Sequence, residues 1–116
     1  FTPTCSAKYL PGYIVNYDKF ISKKIDEIIC IAVNDPFVMK AWAKDQKSEN
    51  KVTLLADGNA ELSSALGLTF DGSAFGLGTR GQRFAMVIEN RKVVYIAIEK
   101  KGAFDVSSAE SILSIL

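Results

Sequence analysis

The sequence predicts an α/β fold: a mixed sheet, partly parallel and partly antiparallel, flanked by helices on both faces. Three observations carry that prediction. Residues 28–33, Ile28-Ile29-Cys30-Ile31-Ala32-Val33, form a short, continuous, β-branched run of the kind found in strands covered on both sides. Asp35-Pro36 follows directly, pairing an N-cap residue with a proline suited to the first helical position. Further on, two strand-like runs, 83–89 and 92–98, flank Asn90-Arg91, a connection short enough for an antiparallel hairpin.

In chain order, Thr2, Pro3 and Thr4 mark the mouth of a first helix, with Thr2 or Thr4 as its cap. Tyr9, Leu10, Tyr13, Ile14, Tyr17, Phe20 and Ile21 recur at spacings of three and four, which predicts one apolar helical face. Pro11 lacks a donor and should kink this helix without ending it, because the pattern continues beyond it. Lys23-Lys24 suits its negative end. The strand at 28–33 comes next, then a helix from Pro36 to about Lys47 with Phe37, Val38, Ala41 and Trp42 along one side. A second strand, 52–55, ends at Asp57-Gly58-Asn59. A short helix, 60–66, stops at Gly67. Residues 67–82, with five glycines (Gly67, Gly72, Gly76, Gly78 and Gly81), are expected to form the loosest segment. The hairpin and a final helix capped by Ser107-Ser108, with Glu110 near its start, complete the chain.

The order α-β-α-β-α-β-β-α needs one further strand ahead of Thr2 to become a thioredoxin-like fold, with a thiol between the carboxyl end of a strand and the amino end of a helix. The expectation is therefore a single domain over residues 1–116 whose N-terminal part is missing.

Composition narrows the function. At 116 residues, 48% apolar and 23% charged, the chain is an ordinary core-forming domain. A net charge of +1 gives no reason to expect nucleic acid or a membrane surface as partner, and no apolar run approaches the roughly 18 residues of a membrane span. Two cysteines are too few for a disulfide scaffold. Histidine is absent, which removes Ser-His-Asp and Cys-His nucleophile pairs and histidine-ligated metals. No carboxylate cluster suggests a metal, and the glycine-rich stretch lacks the Gly-Lys-Ser/Thr ending of a phosphate loop.

Cys5 is the residue best placed for chemistry. It falls in the first helical turn, where unpaired N–H groups and the positive end of the helix dipole favour thiolate over thiol. Its polar, turn-forming neighbours are not those of a buried structural cysteine. Cys30, inside 28–33, reads instead as a buried, inert thiol, and mid-strand it is badly placed to reach a sulfur at a helix start.

Thr2-Pro3-Thr4-Cys5 resembles the Thr-x-x-Cys half of the peroxiredoxin signature Pro-x-x-x-Thr-x-x-Cys. Leu10-Pro11-Gly12-Tyr13, Val33-Asn34-Asp35-Pro36-Phe37-Val38-Met39, Ala41-Trp42, Leu54-Leu55-Ala56-Asp57 and Arg83-Phe84-Ala85-Met86-Val87 are similar to successive blocks of the type-5 (atypical) subfamily. The resemblance implies a thiol peroxidase that needs no cofactor or metal. Cys5 would attack the O–O bond of hydrogen peroxide or an alkyl hydroperoxide, giving a sulfenic acid. Thr2 would orient the peroxide, the backbone N–H groups of Thr4 and Cys5 would bind its oxygens, and Pro3 would shape the same loop. Arg83 would stabilise both the thiolate and the charge on the cleaved oxygen. Taken alone, Arg83 reads as a surface charge at a strand edge, with Arg80 as a competitor. Phe75 would contribute to an apolar collar around the thiol.

One departure from the family pattern stands out. Asp105-Val106-Ser107-Ser108-Ala109 holds no cysteine where self-resolving members carry one. This is similar to one-cysteine members recycled by an outside thiol: glutathione with glutaredoxin, or thioredoxin. The resemblance also implies a homodimer, in the cytoplasm or alternatively in an organelle. Two other readings compete: a thiol–disulfide oxidoreductase, weakened by Lys8 at the fourth position of Cys-x-x-Cys, and a non-catalytic thioredoxin-fold interaction domain.

Overall fold

A computed structural model describes all of residues 1–116. The chain enters as a helical segment at Pro3, becomes a π-helical turn over Cys5–Tyr9, and continues as α1 (Leu10–Val15) and α2 (Tyr17–Ser22). Pro11 explains the wide turn. An α-helical residue there would donate to the carbonyl four residues back, and proline cannot. The Leu10 N–H instead donates to the Cys5 carbonyl, one residue further than an α-helix would reach. The break between α1 and α2 falls at Asn16 (φ −92°, ψ 11°), not at Pro11. Asn16 is buried, and its amide donates to the Gly12 carbonyl at 2.7 Å.

β1 (Ile28–Ala32) and β2 (Val52–Ala56) pair in parallel, Cys30 opposite Leu54, with α3 (Pro36–Gln46) between them. Asp35 caps α3 through its carboxylate, which accepts the Val38 N–H at 2.8 Å. α4 (Glu61–Ala65) is followed by Gly67 at φ +70°, as its sequence demands. Ala60 at its start adopts left-handed backbone, and the cap comes from further back. Asp57 accepts the N–H groups of Leu62 and Ser63 and the Ser63 hydroxyl.

The glycine-rich stretch is more ordered than expected. β3 (Thr69–Asp71) and β4 (Thr79–Gly81) form a small antiparallel ladder closed by a 3₁₀ turn at Ser73–Phe75. Three-residue strands leave no periodicity to read, and their loop needs glycine. Gly76 and Gly78 lie at φ +71° and +64°, and a Cβ on Gly72 would fall 2.9 Å from that of Leu77.

β5 (Phe84–Glu89) and β6 (Lys92–Ile98) form the expected hairpin, Asn90 and Arg91 both turning through positive φ. A bulge after Val87 absorbs one residue of β6. α5 (Ala109–Leu113) is capped by Ser108, whose Oγ accepts the Ser111 N–H.

The mixed α/β class holds, with two corrections. The sheet is not one continuous ladder: the strands form three separate pairs, β1-β2, β3-β4 and β5-β6. Nor is β1 covered on both faces, since Ile29 is 52% exposed while Ile28, Cys30 and Ala32 pack inward. Packing joins what hydrogen bonds do not. Leu10, Met39, Trp42 and Val52 make one cluster, Phe20, Ala97, Ala109 and Ile112 a second, and Tyr13 and Ile28 touch both. The α3 face differs too. Met39 and Trp42 are its buried residues, while Phe37, Val38 and Ala41 face outward. No helix is long and apolar enough to cross a membrane.

Candidate active site

The first helical turn is fixed from both ends. The Ser6 N–H donates to the Thr2 carbonyl at 3.0 Å, the first backbone bond of the segment. The N–H groups of Thr4 and Cys5 precede it and have no backbone acceptor. Thr4 is already helical (φ −65°, ψ −40°) and makes no side-chain cap, so of the two threonines Thr2 holds the capping position. The Trp42 indole donates to the Ser6 hydroxyl at 3.1 Å, and the Phe1 ring lies 6.1 Å from that of Trp42. Leu10, 1% exposed, anchors the far end in the core. Cys5 sits half-buried between, its sulfur side against the Leu10–Met39–Trp42–Val52 cluster.

Arg83, 78 residues away in sequence, brings its Nη2 to 3.7 Å from the Cys5 Sγ. Its other terminal nitrogen donates to the Ala103 carbonyl at 2.6 Å, and the guanidinium carbon stands 5.5 Å from the centre of the Tyr9 ring. The Tyr9 hydroxyl donates in turn to the carbonyl of Phe84, the residue after Arg83. Burial pushes the Tyr9 hydroxyl well above its ordinary range, so it stays a neutral donor. Arg83 Nε is the one buried side-chain polar atom without a partner. Arg83, just ahead of β5, is thus held by a carbonyl and a ring, with one arm directed at a sulfur.

The remaining predicted residues fall as follows. Thr2 is exposed, and its hydroxyl bonds to nothing else in the chain; Pro3 is exposed beside it. Arg80 is not at the thiol. It donates to the carbonyls of Leu77 and Val33 and to the Asn34 side chain, fastening the β3–β4 hairpin to the loop after β1. Phe75 is 78% exposed in the turn between Gly72 and Gly76 and forms no collar over Cys5 within this chain. Cys30 is free like Cys5, and burial, then the nearby Cys5 charge, push its thiol up to about 12. No group of three or more histidine, cysteine or carboxylate side chains is placed to hold a metal ion.

Sequence reasoning did not identify Tyr9 or the Ala103 carbonyl as parts of the site. Tyr9 had a signal: four residues after Cys5, it shares that residue's helical face. A backbone carbonyl in a loop has none.

The Redoxin family profile matches residues 1–113. The chain is 50% identical over 116 residues to Peroxiredoxin-2D of Arabidopsis thaliana, covering 100% of this chain and 72% of that protein. It superposes with a TM-score of 0.96 on reduced Prx3 from Vibrio vulnificus in complex with hydrogen peroxide; the two are 48% identical, covering 100% of this chain and 74% of the other. The Plasmodium falciparum antioxidant protein, a 1-Cys peroxiredoxin, superposes at 0.93 with 34% identity, covering 99% of this chain and 71% of that one.

Proposed function

The chain belongs to the Redoxin family and is a peroxiredoxin, a thiol-dependent peroxidase, and on that premise we propose that Cys5 is its peroxidatic nucleophile, with Arg83 and Thr2 as its partners. The observation that carries this reading is the 3.7 Å approach of the Arg83 guanidinium to the Cys5 Sγ. A permanently charged group beside the sulfur stabilises thiolate and does so without histidine.

The reaction then runs in two halves. The Cys5 thiolate attacks one peroxide oxygen; the S–O bond forms as the O–O bond breaks, and the departing oxygen takes a proton to leave as water or an alcohol. The unpartnered N–H groups of Thr4 and Cys5, with Arg83, face the charge that develops on that oxygen. The free Thr2 hydroxyl accepts from the peroxide O–H, and Pro3 sets the backbone between them. Cys5 is left as a sulfenic acid. An external thiol attacks its sulfur and expels water, and a second thiol displaces the resulting mixed disulfide, restoring Cys5.

The reductant we assign is glutathione with glutaredoxin, as for one-cysteine members of the type-5 group. Two features support it: no cysteine lies near Ser107, and Cys30 packs against the core cluster. Thioredoxin is the competing donor, and faster turnover with it than with glutathione and glutaredoxin would reverse the assignment. A homodimer is supported by the exposed Phe37 and Phe75 (84% and 78%), large apolar side chains with no partner in one chain. Sedimentation of a Phe37→Glu variant tests it. Two free thiols suit a reducing compartment such as the cytoplasm.

The decisive experiment replaces Cys5 with serine. Peroxide consumption and sulfenic-acid trapping should both vanish while the circular dichroism spectrum is retained. Residual turnover, or a Cys5 in the unaltered chain that oxidises no faster than free cysteine, would refute the assignment.

A further inference from the structure

Glu99 is a carboxylate with an unusual employment. It follows β6 directly, is only 8% exposed, and spends its acceptor capacity on one loop. Its Oε2 accepts the N–H groups of Asp105 (2.6 Å) and Ser107 (2.9 Å) and the Ser107 hydroxyl (2.7 Å); its Oε1 accepts the Val106 N–H at 3.3 Å. A carboxylate bound this way curls residues 100–107 back over the end of the hairpin. Burial alone would raise its pKa; the Ser107 hydroxyl and the three N–H groups outweigh burial and hold the pKa below the ordinary carboxylate value, so Glu99 stays charged.

The loop so held carries the Ala103 carbonyl that receives Arg83 Nη1. Two further bonds brace it. The Glu99 N–H donates to the Arg83 carbonyl at 2.9 Å, tying the two backbones together, and the Tyr13 hydroxyl donates to the Ser107 carbonyl at 2.6 Å, tying the loop to α1. The guanidinium has one fixed point on the loop and one free arm, and that arm meets Cys5. Were the loop to relax, Ala103 would move and Arg83 would swing away from the sulfur.

We propose that Glu99 is a positioning residue for the peroxide reaction, acting through the 103–107 loop and the Ala103 carbonyl to aim Arg83 at Cys5. The inference rests on the role given to Arg83 above. Glu99 touches neither peroxide nor sulfur. Its effect is to keep a catalytic charge within reach of the sulfur, where a displacement of about 1 Å can slow a reaction roughly a hundredfold.

The test is a double-mutant cycle read by the rate of Cys5 oxidation in stopped flow, with Glu99→Ala and Glu99→Gln made in the unaltered chain and in Arg83→Ala. Glu99→Ala should slow oxidation by about tenfold to a hundredfold in the unaltered chain and by less than about threefold once Arg83 is gone. Glu99→Gln, which keeps an oxygen for the three Oε2 donors, should recover part of the rate and covers the case in which the alanine variant fails to fold. Equal losses in both backgrounds would overturn the proposal, since Glu99 would then act on something other than Arg83. So would folded Glu99 variants with unchanged rates, while a slow Arg83→Ala would leave the reading of Arg83 standing. If Arg83→Ala itself oxidises normally, that reading falls and the proposal falls with it.

Discussion

Removing Arg83 gives the sharpest test of the site. A full charge 3.7 Å from the sulfur attracts a thiolate by about 4 kcal/mol at an effective dielectric constant near 20. That figure is gross. Cys5 is half-buried, water reaches the pair, and solvent takes over part of the stabilisation when the guanidinium is removed, so about half survives as a difference between variants. With each 1.36 kcal/mol worth a factor of ten, Arg83→Ala should slow Cys5 oxidation by about 30-fold, and by no more than about 1,000-fold. Arg83→Lys should fall between, because a single ammonium cannot hold the Ala103 carbonyl and still reach the sulfur as a rigid fork does. Trp42 is a built-in reporter. Its indole bonds Ser6, next to Cys5, so its fluorescence should follow sulfenic-acid formation when reduced protein is mixed with excess hydrogen peroxide. A folded Arg83→Ala chain that oxidises within about threefold of the unaltered rate would show that the contact is structural and that activation comes from elsewhere.

Three other outcomes are expected. Cys30→Ala should leave peroxide reduction almost unchanged, and thiol labelling near neutral pH should find one fast site and one slow one, because burial holds the Cys30 thiol up to about 12; two fast sites would contradict its placement in the core. Asp35→Ala removes the cap of α3 and should lower stability by about 1 kcal/mol in urea unfolding, with the rate of Cys5 oxidation retained; no change would mean that water replaces the carboxylate fully. Glu99 titrates lower in the folded chain than its ordinary value of 4.5. The unfolded chain therefore binds a proton there first as pH falls, so the stabilisation from Glu99 is present above 4.5 and lost as pH drops through the lower folded value. Unfolding midpoints measured across that acid range should flatten in Glu99→Gln, and an identical pH dependence in the two proteins would rule this out.

Much of this molecule is legible locally. Asp35-Pro36, Gly67, Asn90-Arg91 and Ser108 each satisfy a backbone demand within a few residues, so the elements they bound stand where the sequence puts them. Cys5 is legible for the same reason: a thiol in the first turn after Thr2-Pro3-Thr4 meets free N–H groups whatever the rest of the chain does. The misread elements lacked a local signal. β3 and β4 are too short to show a period, and α3 carries apolar residues on two sides, so periodicity could not tell the buried Met39 and Trp42 from the exposed Phe37 and Val38.

What surrounds the thiol was decided by long-range packing. Arg80 and Arg83 are three residues apart with the same chemistry, and only the path of the chain sends one to Val33 and Asn34 and the other to Cys5. The groups that set the sulfur's surroundings come from far along the chain: a guanidinium at 83 that meets it, a carbonyl at 103 that holds the guanidinium, and a carboxylate at 99 that holds the loop carrying that carbonyl. By itself the sequence marked Cys5 as the candidate nucleophile and pointed to the class of chemistry, because a thiol's placement at a helix start is local. Tertiary structure alone decided which charge stands beside that thiol and what holds it there, because those contacts exist only once strands and loops dozens of residues apart are packed together.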